Sequence, residues 1–246
     1  MMLVSVIIPY FNKKRYIEET IQSVLRQSYE NFEIILIYDD ECLDDLKFIK
    51  QIQNEDKRIK LIINQKKLGV GESRNIGIKE AHGEYVAFLD ADDLWKKDKI
   101  KYQIDFMETN KALISHTSYE VIDKNNKILN VRKAKDYNHY KNLLYSCDIG
   151  LSTVVIKKRL LQNDIFFPNL KTKEDFVLWL KILKMNIKIH ALDEKLSSWR
   201  KLDNSLSSSI TQKMKDGYFV YNKFMKFNSL KSLFFLFLLS FNSLFK

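Results

Sequence analysis

Short apolar, β-branched runs alternate with helix-spaced stretches through the first ninety residues, and this alternation limits the chain to few folds. The strand signals cover residues 3–9, 33–38, 59–63 and 85–89. Between them, residues 13–27 show helical spacing through Tyr16, Ile17, Thr20, Ile21, Val24 and Leu25, and residues 43–53 and 72–81 read as further helices. Repeated βα order predicts an α/β fold, with a Rossmann-like, mostly parallel central sheet flanked by helices. The second half breaks the pattern. Residues 96–110 read as a helix, and 113–122 and 127–131 as strands around a turn at 123–126. A short strand at 153–156, a helix at 174–185 and strands at 187–192 and 195–199 follow, and the chain ends in a helical extension.

The fourth strand signal ends in Asp90, Asp92 and Asp93. Ligand sites in open α/β sheets lie at the carboxyl ends of strands. Side chains two apart on extended backbone point the same way, so Asp90 and Asp92 can converge. Crowded carboxylates call for a cation, and a hard ion such as Mg²⁺ or Mn²⁺ shared with a substrate phosphate meets that need. The competing reading makes Asp92 or Asp93 the N-cap of a helix opening at Trp95 and Lys96.

The chain has 246 residues, 46% of them hydrophobic and 29% charged, an ordinary globular balance. Cys42 and Cys147 have no metal or redox spacing, and residues 1–9 lack a basic signal-peptide region, so a cytoplasmic setting is expected. The formal charge of +10 implies an anionic partner. Residues 210–246 hold six lysines against one acid, half of that net charge, beside the apolar run 233–239. No nucleic-acid motif accompanies the charge, so a membrane surface is expected rather than nucleic acid.

Four segments carry a family resemblance. They are Val4-Ser5-Val6-Ile7-Ile8-Pro9-Tyr10-Phe11-Asn12, the acid-ended strand Glu33 to Asp40, Leu68-Gly69-Val70-Gly71-Glu72-Ser73-Arg74-Asn75 before Asp90-Ala91-Asp92, and Lys173-Glu174-Asp175-Phe176. In this order they resemble glycosyltransferase family 2, the inverting sugar-nucleotide transferases of the GT-A fold. A dinucleotide fingerprint is excluded, because its third glycine would stand where Arg74 is.

The resemblance implies roles. Pro9, Tyr10 and Asn12 would line the base and ribose site, and Asp39 would accept the base N–H, typically that of uracil. The family continues Asp-Gly-Ser where this chain has Asp39-Asp40-Glu41. Arg74 would meet the diphosphate, or else partner the aspartates. Asp92 would ligate Mn²⁺ or Mg²⁺, and Asp90 would contact the ribose or the metal shell. Asp175 would be the general base. Arg200 would reach the diphosphate, near a family-like loop at Ser205-Leu206-Ser207. Trp199-Arg200 reverses the Arg-Trp order of the processive members, so single-sugar transfer is expected.

The implied enzyme is a non-processive transferase. It would move one sugar from a nucleoside-diphosphate sugar, expected to be a UDP-sugar, to a lipid-linked or surface-glycan hydroxyl. The alternative is a nucleotide-sugar-binding protein of the same fold without turnover. The expected division is a transferase domain at 1–209 and a basic, aromatic tail at 210–246. The tail is expected to lie in the plane of an anionic membrane, at the inner face of the cytoplasmic membrane, or else to pack on the core.

Overall fold

The computed structural model describes residues 1–161, 165–202 and 209–244. β1 (Val4–Tyr10), α1 (Lys14–Leu25), β2 (Phe32–Tyr38), α2 (Leu43–Glu55), β3 (Ile59–Ile63), α3 (Val70–Glu80) and β4 (Tyr85–Phe88) follow the expected alternation within a few residues. These four strands pair in parallel in the order β3-β2-β1-β4. Side chains alternate across the sheet. Ile7 and Phe88 enter one core cluster, while Val6, Ile8 and Ala87 enter another on the opposite face.

Pro9 lies inside β1, in register with Ile37. The Tyr10 carbonyl accepts from Asp39 on the β2 side, and the Ile7 carbonyl accepts from Leu89 on the β4 side. Alternation therefore points the Pro9 nitrogen toward β4, beyond the last register pair of Ile7 with Phe88. Its missing N–H costs no ladder bond there. Gly77 sets the approach of α3 to the sheet. A Cβ at that position would lie 2.5 Å from Ile7 Cγ2 and 3.0 Å from Ile37 Cδ1.

β5 (Leu94–Trp95), α4 (Lys99–Thr109), β6 (Ile114–Ile122), β7 (Ile128–Arg132), α5 (Tyr140–Leu143), β8 (Val155–Lys157), α6 (Glu174–Lys184) and β9 (His190–Arg200) complete the sheet. It continues β4-β8-β6-β9-β5, with β7 paired to β6. Here only β6 and β9 pair in parallel. Three expectations need correction. Trp95 and Lys96 do not open a helix: Leu94 and Trp95 pair with Ser198 and Ser197 of β9, and α4 starts at Lys99. The residue before α4 is Asp98, so neither Asp92 nor Asp93 is its N-cap. The two strands expected at 187–199 form one strand with register shifts against β6.

The C-terminal segment is α7 (Ile210–Phe219), a π-helical turn at Val220–Phe224, and α8 (Ser229–Leu244). It is no appendage. Val220, Tyr221, Met225, Phe235, Leu236 and Leu239 share one buried cluster with Phe176 and Trp179 of α6. The Tyr221 hydroxyl donates to the Leu144 carbonyl at 2.8 Å. Residues on both sides of 209 thus contribute to one core. Among the described residues, no helix is long and apolar enough to cross a membrane. The loop Ser205-Leu206-Ser207 lies outside the described residues.

Candidate active site

β4 delivers the chain to a short acidic turn, and each carboxylate there has a different partner. Asp90 accepts from Arg74 Nη2 at 2.7 Å. Asp92 Oδ2 meets Lys13 Nζ at 2.6 Å. Asp93 is 1% exposed and accepts from Ser152 Oγ at 2.5 Å and from the Arg200 amide at 2.9 Å. Ser152 Oγ also accepts from the Asp90 amide at 3.1 Å, so one hydroxyl joins both ends of the turn. Burial lifts Asp92 above the usual carboxylate range against the pull of Lys13. Burial lifts Asp93 much further, helped by the charges of Asp92 and Asp90.

Arg74, on the first turns of α3, bridges this turn to α6. Its Nη1 donates to Glu174 Oε1 at 2.5 Å, so one guanidinium holds Asp90 and Glu174 together. Burial opposes its charge, yet Asp90 and Glu174 outweigh burial and its pKa is raised. Glu174 is pushed up to about 7 by burial, against Arg74 and with the help of Asp175. Asp175 lies beside this pair at the start of α6, and its Oδ1 accepts from the Phe176 amide at 2.7 Å. Burial raises it above the usual range, opposed first by Arg74. Asp90 and Asp175, 85 residues apart, thus belong to one charge cluster. Asn75 secures the approach to α6. It donates to the Phe167 carbonyl and accepts from the Phe167 amide, each at 3.0 Å.

A second acid position lies at the end of β2. Asp39 is 4% exposed and accepts from Asn64 Nδ2, Leu68 N and Gly69 N, all at 2.8 Å. It fastens the loop that leads into α3. Gly69 at φ 90 sits in the backbone region that glycine favours. Asn12, at φ 49, donates its amide to Asp40 Oδ2 at 2.7 Å. Lys67 Nζ stands 3.5 Å from the Phe11 ring centroid, which closes the β1 and β3–α3 loops on each other.

Several of the residues expected to meet the donor have protein partners of their own. Tyr10 is fully buried, donates to Asp45 at 2.6 Å and stacks on Tyr38, so its ring supports the β1 end from beneath. Pro9 is buried in the same strand. Arg200 is a fastener rather than a free cation. Its Nε donates to the Asp92 carbonyl at 2.8 Å, its Nη1 to Asn126 at 2.6 Å and its Nη2 to Glu19 at 3.0 Å. Only 1% of its side chain is exposed. Arg74, with 4% of its side chain exposed, pairs with Asp90 and Glu174.

Lys13, Ser152, Glu19 and Asn126 were not among the expected site residues. Only topology brings them to the turn. Among the described residues, no three His, Cys, Asp or Glu side chains gather to hold an ion. Asp90 and Asp92 fit a hard divalent ion as a partial oxygen shell that phosphate and water would complete.

Residues 5–166 match the family described as Glycosyl transferase family 2. A Bacillus subtilis protein, "Putative teichuronic acid biosynthesis glycosyltransferase TuaG", is 34% identical over 94% of this chain and 91% of its own length. An Escherichia coli protein, "UDP-Glc:alpha-D-GlcNAc-diphosphoundecaprenol beta-1,3-glucosyltransferase WfgD", is 38% identical over 91% of this chain and 87% of its own. An uncharacterized glycosyltransferase of Rickettsia felis is 40% identical, and there the chain spans only 33% of its relative's length. Among solved structures, S. aureus TarS 1–349 in complex with UDP-GlcNAc superposes with a TM-score of 0.70 at 22% identity, over 96% of this chain and 70% of that one. A Pyrobaculum calidifontis mannosyltransferase with GDP-Man and Mn²⁺ superposes with a TM-score of 0.69 at 14% identity, over 95% and 69%. These two likenesses concern the fold.

Proposed function

Because the chain belongs to glycosyltransferase family 2, we propose that it moves one sugar from a UDP-sugar to a hydroxyl of an undecaprenol-linked or surface-glycan acceptor, with inversion at the anomeric carbon. One observation carries this reading. Arg74 gathers the acids at the end of β4 and those at the start of α6 into one cluster. A donor side and an acceptor side are what an inverting displacement requires.

On the donor side, Asp39 and the loops it fastens would hold the base, and Asp90 the ribose. Asp92 and Asp90 would hold Mn²⁺ or Mg²⁺, which when bound offsets the charge developing on the leaving diphosphate. On the acceptor side, Asp175 takes the hydroxyl proton as that oxygen attacks the anomeric carbon. Burial makes its carboxylate more basic than a free one, which favours proton acceptance. Arg74 keeps Asp90 and the α6 start in fixed relation.

The acceptor lipid places the work at a membrane. α8 buries Phe235, Leu236 and Leu239 but exposes Leu230, Leu233, Phe234, Phe237 and Phe241 by 47–81%. Lys213, Lys215, Lys223, Lys226 and Lys231 are exposed on the same C-terminal segment. Apolar insertion plus about 1 kcal/mol per lysine would hold the protein at the inner face of the cytoplasmic membrane.

The test is a donor screen with UDP-, GDP- and dTDP-sugars and a polyprenol-diphosphate-sugar acceptor, reading both product and released nucleotide. Acceptor-dependent release from a UDP-sugar is expected. Donor binding without transfer or hydrolysis would leave a nucleotide-sugar-binding protein instead.

A further inference from the structure

Lys13 precedes α1, yet its side chain caps nothing there. It turns to Asp92 at 2.6 Å. The two expected metal-binding carboxylates thus each carry a cation, Arg74 on Asp90 and Lys13 on Asp92. The two cations differ in how firmly they are held. Arg74 is 4% exposed and doubly anchored, on Asp90 and Glu174. Lys13 is 22% exposed and anchored on Asp92 through one flexible stem. Arg74 is held by two partners, and Lys13 by one.

Arg74 divides its charge between Asp90 and Glu174, whereas Lys13 pairs with Asp92. A free divalent ion meets the Lys13 ammonium on the carboxylate it needs and must displace it. A diphosphate changes the balance. It brings the negative charge that balances the metal, and its oxygens offer the ammonium another partner. We propose that Lys13 is a latch that makes divalent-ion binding at Asp92 conditional on the diphosphate, so that metal and donor enter as one unit. This rests on the metal-bridged donor proposed above. The physical content is a coupling between two ligands, set by one charge that must move.

The experiment measures Mn²⁺ binding by electron paramagnetic resonance and water proton relaxation, with and without UDP. It compares wild type, Lys13→Met and Lys13→Arg, with folding checked by circular dichroism. Lys13→Met keeps the stem and removes the charge. It should bind Mn²⁺ alone about tenfold more tightly than wild type, and UDP should then add less to Mn²⁺ affinity. Lys13→Arg keeps the charge and should follow wild type. A folded Lys13→Met protein with unchanged affinity for Mn²⁺ alone, beside normal UDP-dependent binding in wild type, overturns the latch and spares the donor site. Lys13→Arg binding free Mn²⁺ as tightly as Lys13→Met also overturns it. Wild type that takes up no Mn²⁺ even with UDP removes the metal reading and the latch together.

Discussion

Asp216, on α7, accepts two hydrogen bonds from Thr172, one from its amide and one from its hydroxyl, each at 2.9 Å. Thr172 stands three residues before Asp175, and Gln212 holds the other Asp216 oxygen at 2.9 Å. The C-terminal helices therefore brace the loop that presents the proposed base. Asp216→Ala leaves two Thr172 donors without their acceptor, at a cost of about 1–3 kcal/mol. It should slow transfer about tenfold or more by misplacing Asp175, with UDP affinity nearly unchanged. Calorimetry beside steady-state rates separates the two effects, and equal loss of both would deny Asp216 this role.

Asp175→Asn keeps shape and hydrogen bonding but accepts no proton. Transfer should fall about 10²-fold or more, with donor affinity little changed. The same residue sets a pH dependence. Burial raises it above the ordinary carboxylate value, and a base works only when ionised. Activity should therefore fall with acidification at a pH above the range of a free aspartate. An Asn variant with near-normal transfer would assign the proton to another group.

Lys99 is fully buried, with its Nζ 3.8 Å from the Trp95 ring centroid and no hydrogen-bond partner among the described residues. Burial pushes its pKa well below the ordinary lysine value. Between the depressed and ordinary values, the unfolded chain binds more protons than the folded one, so this group makes stability rise with pH. Lys99→Met should add roughly 1–3 kcal/mol and flatten that slope. Thermal melts from neutral to alkaline pH check both. A lower Tm across that range would mean that the amine has a partner in solution.

The two faces of α8 should separate in experiment. Leu236→Ala opens the shared core and should cost about 2–4 kcal/mol. Phe234→Ser with Phe237→Ser alters only exposed side chains and should leave Tm nearly unchanged. Only the second change should release the protein from anionic liposomes in co-sedimentation. Full-length protein that stays in the supernatant at low salt would end the membrane proposal. Deletion after Phe227 is no clean probe, since it strips Phe235, Leu236 and Leu239 from the core.

The first four strands and three helices were legible because each announces itself locally, through short β-branched runs and helical periodicity. The acids at 90, 92 and 93 stood out as strand-end carboxylates, whereas Asp175 stood out only through the family resemblance. What escaped depends on partners far along the chain. Two residues, Leu94 and Trp95, become a strand only because Ser197 and Ser198 lie alongside. The bonds of Arg200 to Glu19, Asn126 and the Asp92 carbonyl likewise leave no local sign. Ser152 carries no motif, yet it ties Asp90 to Asp93. Apolar spacing in 229–244 gave no sign that one helix would meet both the core and the outside.

Arg200 also fixes an order of events in synthesis. Its amide reaches Asp93 across 107 residues, and Glu174 reaches Arg74 across 100. The parallel strands can pair as soon as residue 88 has left the ribosome. The acidic turn then stands at the end of a formed strand without β9's donors, while roughly a hundred more residues are made. Lys13 and Arg74 are already there for Asp92 and Asp90, whereas Asp93 acquires Ser152 and the Arg200 amide late. Arrest-peptide force profiles should show a first release near β4 and a second only after β9 emerges.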